Sequence, residues 1–397
     1  MAIRHGSPLE VLRAFFRLGL TSFGGPVAHI GYFRAEFVER RRWVSEQGFA
    51  DLFALCQFMP GPASSQLGMA LGLLRAGPLG MLCAWIGFTL PSALLMAGFA
   101  YGIGSIGNIG HARWLEGLKL VAVAVVSQAV WNMARSLCPD RERATLAVVA
   151  ALICLVRFGA ASEIGAILLG AAAGLAVLKR PRVEDAPQDP EFAASVPRTV
   201  AVLLLTAFIV LLLLVPALSS RGSPAIKMMA AFYRAGALVF GGGHVVLPLL
   251  QSAVVPPGWV SNNTFLAGYG AAQALPGPLF TFAAFLGASM RQAPTGWLGA
   301  LLATVAIFFP SFLLVGGLLP FWDTLRQRPA VQSALRGVNA AVVGILLAAL
   351  YAVMWAPAVT SPASFGLALA AFLLLVGWAV PPWAVVLLGA GVAQAVL

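Results

Sequence analysis

"QFMPGPASSQLGMALG", residues 57–72, places Pro60, Gly61 and Pro62 inside one of the most apolar runs of the chain. Proline removes a backbone donor and stops the helix before it, yet it suits the first turn of the helix that follows. A second stretch, "QALPGPLFTFAAFLGA" (273–288), repeats Gln, Pro, Gly and Pro at the same spacing. The apolar arms around the first break, 46–59 and 62–75, each give about 20 Å of helix. That is too short to cross a hydrocarbon core of about 30 Å. The pattern reads as a helix–break–helix hairpin. Irregular backbone at membrane depth is tolerated only where it is buried in protein or lines a wet cavity.

The composition agrees with a membrane setting. Of 397 residues, 60% are hydrophobic and 10% charged, and the mean hydropathy is +0.90; a soluble domain usually carries about 25% charged residues. Runs such as "TVAVLLLTAFIVLLLLVPAL" (199–218) reach the length of a span. Alternating strand patterns are absent, so the expected class is an all-α polytopic membrane protein. The net charge of +11 sits mainly in short connections, the pattern of topology signals, and nucleic-acid binding is not expected. The four cysteines, Cys56, Cys83, Cys138 and Cys154, form no CxxC pair and read as small buried hydrophobes. Arg13 and Arg17 interrupt the first apolar stretch, so no cleavable signal is expected.

The chain is a duplication. "FFRLGLTSFGG" (15–25) aligns with "FYRAGALVFGG" (232–242), "GMLCAWIGFTLPS" (80–92) with "GALLATVAIFFPS" (299–311), and "GLKLVAVAVV" (117–126) with "GVNAAVVGIL" (337–346). We place one repeat at 1–178 and the other at 221–397. Residues 179–220 form a cytoplasmic linker, "KRPRVEDAPQDPEFAASVPR" (179–198), and one connecting helix. An odd span between two copies turns the second upside down, and the charges agree. The connection at 34–42 carries Arg34, Arg40, Arg41 and Arg42, whereas its counterpart "QSAVVPPGWVSNN" (251–263) has none. The reverse holds for "GIGSIGNIG" (102–110) against the region of Arg326 and Arg328. Positive-inside bias therefore flips between the halves. This is an inverted-topology repeat with broken, re-entrant helices, about nine crossings plus four re-entrant elements, and secondary transporters are commonly built so.

The breaks offer anion chemistry. After Pro62, "ASSQ" opens a helix whose free N–H groups and dipole face the tip, with Ser64, Ser65 and Gln66 adding side-chain donors. In the second copy Thr281 stands between Phe280 and Phe282. "SFGGPVAHI" (22–30) and "VFGGGHVV" (239–246) break two more short helices and can expose N–H groups in a nest. Glycine and proline also serve as packing points and kinks in membrane helices.

Phe-Gly-Gly-Pro followed by "AHI", Phe-Gly-Gly-Gly in the second half and a Pro-Gly-Pro in each half resemble the chromate ion transporter family in its long two-domain form, over nearly the whole chain. The resemblance implies export of chromate across the bacterial inner membrane, driven by an ion gradient and conferring chromate resistance. Sulfate is close to chromate in size, shape and charge, so a sulfate or other oxyanion transporter, or an anion channel of the same architecture, is the alternative.

The substrate-binding candidates are Arg17, Phe23, Gly24, Gly25, Gly61, Ser64, Ser65, Gln66, Lys119, Arg234, Gly241, Gly242, Gly243, Gly277, Thr281 and Asn339. Arg17 and Arg234 are equivalent; arginine suits bidentate oxyanion contacts, and the other reading is a snorkelling or inter-helix arginine. Lys119 and Asn339 form a second equivalent pair. Asp51, His29 and His244 are the candidates for proton or ion coupling, or else ordinary buried polar residues. Gln57 and Gln273, with Pro60, Pro62, Pro276 and Pro278, mark the hairpin breaks, where the amides serve the substrate or cap the broken backbone. No HExxH, GxSxG or Walker loop is present, so no enzyme activity, metal or cofactor is expected. The expected partners are lipid and a small inorganic oxyanion; a homodimer is compatible with the sequence.

The charge pattern puts the N-terminus and the 179–198 loop in the cytoplasm and the C-terminus outside. A fluorescent protein that matures only in the cytoplasm should be bright when inserted in that loop and dark at the C-terminus. Fluorescence from both would overturn the inversion.

Overall fold

Serine caps set the helix starts, and they recur at equivalent places in both halves. Ser7 Oγ accepts from Glu10 N at 3.1 Å and Ser223 Oγ from Ile226 N at 3.5 Å. Ser45 Oγ accepts from Gly48 N at 3.0 Å and Ser261 Oγ from Thr264 N at 3.1 Å. Each satisfies an amide that the first helical turn leaves open. The computed structural model describes residues 6–105, 113–157, 159–178, 196–240 and 243–396, and all the regular structure among them is helical.

In the first half, α1 is Pro8–Thr21, α2 Gly25–Arg34 (continued by a π turn, Ala35–Arg40), α3 Glu46–Phe58, α4 Ala63–Ser105, α5 Arg113–Leu137, α6 Arg141–Val156 and α7 Ala160–Val177. The connecting helix α8 is Arg198–Arg221, matching the expected 199–218. The second half runs α9 Pro224–Ala237, α10 Val246–Val254, α11 Asn262–Ala272, α12 Phe282–Ala288, α13 Gly296–Leu318, α14 Trp322–Arg326, α15 Pro329–Ala349, α16 Pro362–Val376 and α17 Pro382–Val396.

α4 is two helices meeting at a corner, because Ala76 (φ −144°) and Gly77 (φ +66°) leave the helical region. The arm after the first break is therefore 63–75, close to the expected 62–75. In the second half this corner is an open connection between Ala288 and Gly296, where Gly296 again has positive φ, +62°.

The two halves exchange helices. α1 packs on α4, and its counterpart α9 packs on α13, within each half. Further along, α6 and α7 of the first half pack on α15 of the second, while α16 and α17 of the second pack on α5 of the first. The closest approaches are matched. Gly117 of α5 lies against the Gly389 carbonyl of α17, and Gly337 of α15 against the Gly170 carbonyl of α7. Residues 117 and 337 are equivalent, as are 170 and 389, so one contact occurs twice in reciprocal form. Small residues let backbones come this close where no hydrophobic force acts between helices in lipid.

Apolar side chains also face outward: Leu152 on α6, Leu168 on α7, Leu203 and Leu213 on α8, Leu373 on α16 and Leu387 on α17 are all exposed. An apolar surface this extensive fits lipid rather than water. Among the described residues four helical stretches are long and apolar enough to cross a membrane alone: Ala63–Ile103, Arg113–Leu137, Gly296–Phe321 and Pro329–Ala358. α8 is a further apolar helix of 24 residues, and shorter apolar helices include Ala161–Val177, Pro362–Val376 and Pro382–Ala395.

A Cβ added at Gly337 would press on the backbone of Gly170 and Gly174. Gly337→Leu should therefore part α15 from α7, costing about 1–3 kcal/mol or more. The expected readout is a clear fall in the melting temperature of the detergent-solubilised protein; an unchanged melt would refute the packing argument.

Candidate functional site

Both Pro-Gly-Pro tips turn through a left-handed glycine, Gly61 at φ +128° and Gly277 at φ +89°. These are conformations that side chains disfavour. The tips leave backbone groups open, and each finds its partner in the opposite half. Gly61 N–H donates to the Val239 carbonyl at 2.6 Å, and Gly277 N–H donates to the Ser22 carbonyl at 3.0 Å. Ser22 and Val239 each stand directly before a Phe-Gly-Gly break. The four breaks expected from the sequence therefore meet at one place, in two equivalent hydrogen bonds.

Around the first tip the polar groups converge. Gln66 Nε2 donates to the Pro60 carbonyl at 2.7 Å and reaches Ser311 Oγ of α13 at 3.4 Å. It is thus Gln66 that caps the broken backbone, while Gln57 is exposed. His29 Nε2 lies 3.2 Å from the Ser22 carbonyl and Nδ1 lies 3.2 Å from Ser64 Oγ. A carbonyl can only accept, so Nε2 carries the proton and, in the neutral ring, Ser64 O–H donates to Nδ1. Phe88 meets the imidazole edge-on at 5.1 Å. The Ser22 carbonyl therefore accepts from His29 of its own half and from Gly277 of the other.

Donors remain. The first backbone bond of α4 is Gln66 N to the Pro62 carbonyl, 2.9 Å, so the amides of residues 63–65 precede any intrahelical bond. Ser22 Oγ and Ser65 Oγ are buried and, among the described residues, have no hydrogen-bond partner; Gln66 Oε1 shares that state as an acceptor. Two hydroxyls without partners, that of Ser65 in the first turn of the helix, with no carboxylate among the described residues bonded into the cluster, suit an anion.

The second tip is less polar. Thr281 Oγ1 donates to the Pro278 carbonyl at 2.8 Å, between the buried Phe280 and Phe282. Gly243 is buried at the start of a 3₁₀ turn, whereas Gly241 and Gly242 lie outside the described residues. His244 Nδ1 is 2.7 Å from Tyr269 Oη of α11, a partner unlike that of His29. Gln273 is half-buried at the end of α11. Pro60, Pro62, Pro276 and Pro278 flank the two glycines. Gly24 (φ +98°) and Gly25 (φ +75°) turn the chain into α2, and the Phe23 ring lies 6.4 Å from that of Trp383 on α17.

The remaining candidates lie in other contacts. Arg17 is on the exposed face of α1, in a groove with Arg13, Phe16, Leu20 and Leu90. Its equivalent Arg234 is half-buried and faces Glu163 and Ser252. Lys119 is buried and pairs with Glu116 one turn earlier, Nζ to Oε1 2.5 Å, while Asn339 is half-buried on α15. Asp51 is buried in α3 and accepts from Gln47 at 3.5 Å. Among the described residues no group of His, Cys, Asp and Glu could hold a metal ion.

Sequence reasoning missed Ser22, Ser92 and Ser311. A signal existed: Pro-Ser ends an aligned segment in both copies, at Pro91-Ser92 and Pro310-Ser311. In the fold Ser311 stands against Gly61 and Ser92 against Gly277, again across the halves.

The family described as Chromate transporter matches twice, over residues 9–175 and 226–395. A chromate transport protein of Pseudomonas aeruginosa is 30% identical over 349 residues, covering 85% of this chain and 79% of that protein. One from Cupriavidus metallidurans is 27% identical over 362 residues, 87% of this chain and 83% of the relative. An uncharacterized transporter of Methanocaldococcus jannaschii is 25% identical, covering 86% and 83%. No solved structure matches. The double match falls on the two halves whose breaks bond to each other: the chain belongs to the chromate transporter family.

Proposed function

We propose that this protein is a secondary transporter exporting chromate across the bacterial inner membrane, and so conferring chromate resistance. Residues 1–178 and 221–397 act as inverted repeats, joined by the linker and helix of 179–220. The observation that carries the proposal is the reciprocal pairing of Gly61 with Val239 and Gly277 with Ser22. It gathers four interrupted helices at the boundary of the repeats, where transporters of this build hold their cargo.

The dianion is received at the first tip, by the amides of residues 63–65, by the hydroxyls of Ser65 and Ser22, and by Ser64 once His29 releases it. Preorganised neutral donors hold an anion without leaving fixed buried charge behind when it departs. Gly24, Gly25, Gly277 and Thr281 shape the opposite wall. With the cytoplasm electrically negative, outward movement of a dianion is favoured by about 2.3 kcal/mol per charge per 100 mV.

The test is radiolabelled chromate uptake into inside-out vesicles, with sulfate as competitor. Saturable uptake is expected in the wild-type chain. Gly61→Leu should abolish it, because the glycine sits at φ +128° against Gln66 and Ser311. Ser65→Ala should raise the half-saturating concentration about tenfold or more, since a hydrogen bond to a charged group contributes about 1.5–3 kcal/mol. Arg17→Ala, on the exposed face, supplies the contrast. Uptake surviving in both Gly61→Leu and Ser65→Ala at matched expression would sink the site. Sulfate accumulation with no chromate uptake under any imposed gradient would sink the assignment of cargo.

A further inference from the structure

Away from the paired breaks, one buried carboxylate bridges the two halves. Glu163, in the first turn of α7, is fully buried. Ser252 of α10 donates its hydroxyl to Glu163 Oε2 at 3.2 Å. Oε1 is buried and, among the described residues, has no hydrogen-bond partner. Arg234 of α9 lines the same small void, together with Ile164, Ala235, Leu238 and Leu249; its volume of about 10 Å³ is room for one water. α7 belongs to the first half, and α9 and α10 to the second. Among the described residues the ionisable groups facing Glu163 are Arg234 from α9 and the Cys154 thiol from α6. α10 offers Ser252, and the charged residue of α15, Arg336, is exposed.

We propose that Glu163 carries the proton that couples chromate movement to a pH gradient, acting with Arg234 and Ser252 across the boundary of the halves. The inference rests on the transport reading above. An ionised carboxylate away from water is costly unless a cation compensates it, and removing either partner leaves the other charge unpaired. With Glu163 ionised, its attraction to Arg234 ties α7 to α9 and so holds the halves together. A proton on Glu163 cancels that attraction and lets the halves move. A bound dianion, competing for the charge of Arg234, releases the loaded carrier in the same way without the proton, whereas the empty carrier returns only when protonated, so chromate and protons move in opposite directions. The two histidines are placed differently: both ring nitrogens of the buried His29 are engaged at the first tip, and the half-buried His244 is bonded to Tyr269.

The test uses the purified full chain in liposomes with the membrane potential clamped at zero. Both sides are kept alkaline enough for chromate to stay a dianion, and the lumen is the more acidic. Wild-type protein should accumulate chromate as protons leave, up to about tenfold per pH unit for each proton exchanged. Glu163→Gln, a permanently neutral side chain, should keep chromate counterflow near the wild-type rate yet lose accumulation driven by the pH gradient. Glu163→Asp should recover part of it. The assignment is overturned if Glu163→Gln still accumulates chromate as wild type does, or if it loses counterflow and accumulation together. Wild-type protein that shows counterflow but no accumulation under the pH gradient would overturn it as well, while leaving the transport reading intact. Absence of counterflow in the wild-type protein would overturn the transport reading itself, and this inference with it.

Discussion

Backbone that leaves a helix inside a membrane must find another partner for its polar groups, and everything in this fold follows from where those partners are. Gly61 N–H is satisfied by Val239, and Gly277 N–H by Ser22. Neither half can complete its own tip. Such groups have no water to fall back on in hydrocarbon, where each unsatisfied one costs several kcal/mol. The demand at each tip therefore fixes the other half in place, and the same demand collects Ser311, Ser92 and His29 around the junction.

The exchange of the carboxyl-terminal helices extends this mutual dependence outward. α7 lies on α15 and α17 lies on α5, each at a glycine-to-glycine approach. Two domains that merely touched could separate along their boundary. Here the boundary crosses itself, so motion of one repeat must drag helices that belong by sequence to the other. Relative movement is then a sliding of packed helices more than an opening of a cleft, a shear in the usual sense. Small residues at the crossings allow it, because they present no side chain that must unlock.

Much of this was legible in the sequence because it is local. Pro-Gly-Pro stops a helix and starts another wherever it stands, and α3 and the arm of α4 begin and end within a residue or two of their expected limits. Duplication was legible too, since equivalent breaks keep their spacing. What could not be read was which side chain faces which. Arg17 and Arg234 are identical in local pattern, yet one lies on the exposed face of α1 and the other faces a buried carboxylate. The difference is made by α7, some seventy residues before Arg234, which brings Glu163 to α9 with no counterpart for Arg17. Gln57 and Gln66 show the same limit. The first is nearer the proline and fits the expected pattern, but the helix turns it outward, and Gln66 reaches back to the Pro60 carbonyl instead.

The divergence of the two tips bears on how an inverted pair can be directional. A perfectly symmetric pair of repeats would present the same face to either side of the membrane, and its two orientations would have equal free energy. In this chain one tip carries Ser64, Ser65 and Gln66 with His29 behind them, whereas the other carries Phe280, Thr281 and Phe282, and its hydroxyl is already bonded to Pro278. Glu163 adds a second asymmetry, since residue 382, its counterpart, is proline. On the proposed site, an anion at this junction meets open donors on one side and aromatic faces on the other. The two orientations then differ in how they solvate the anion, and a ligand shifts a conformational equilibrium only by such a difference. Under the proposed function, the duplicated backbone provides the two orientations, and the unequal side chains at its two tips decide which of them holds the anion.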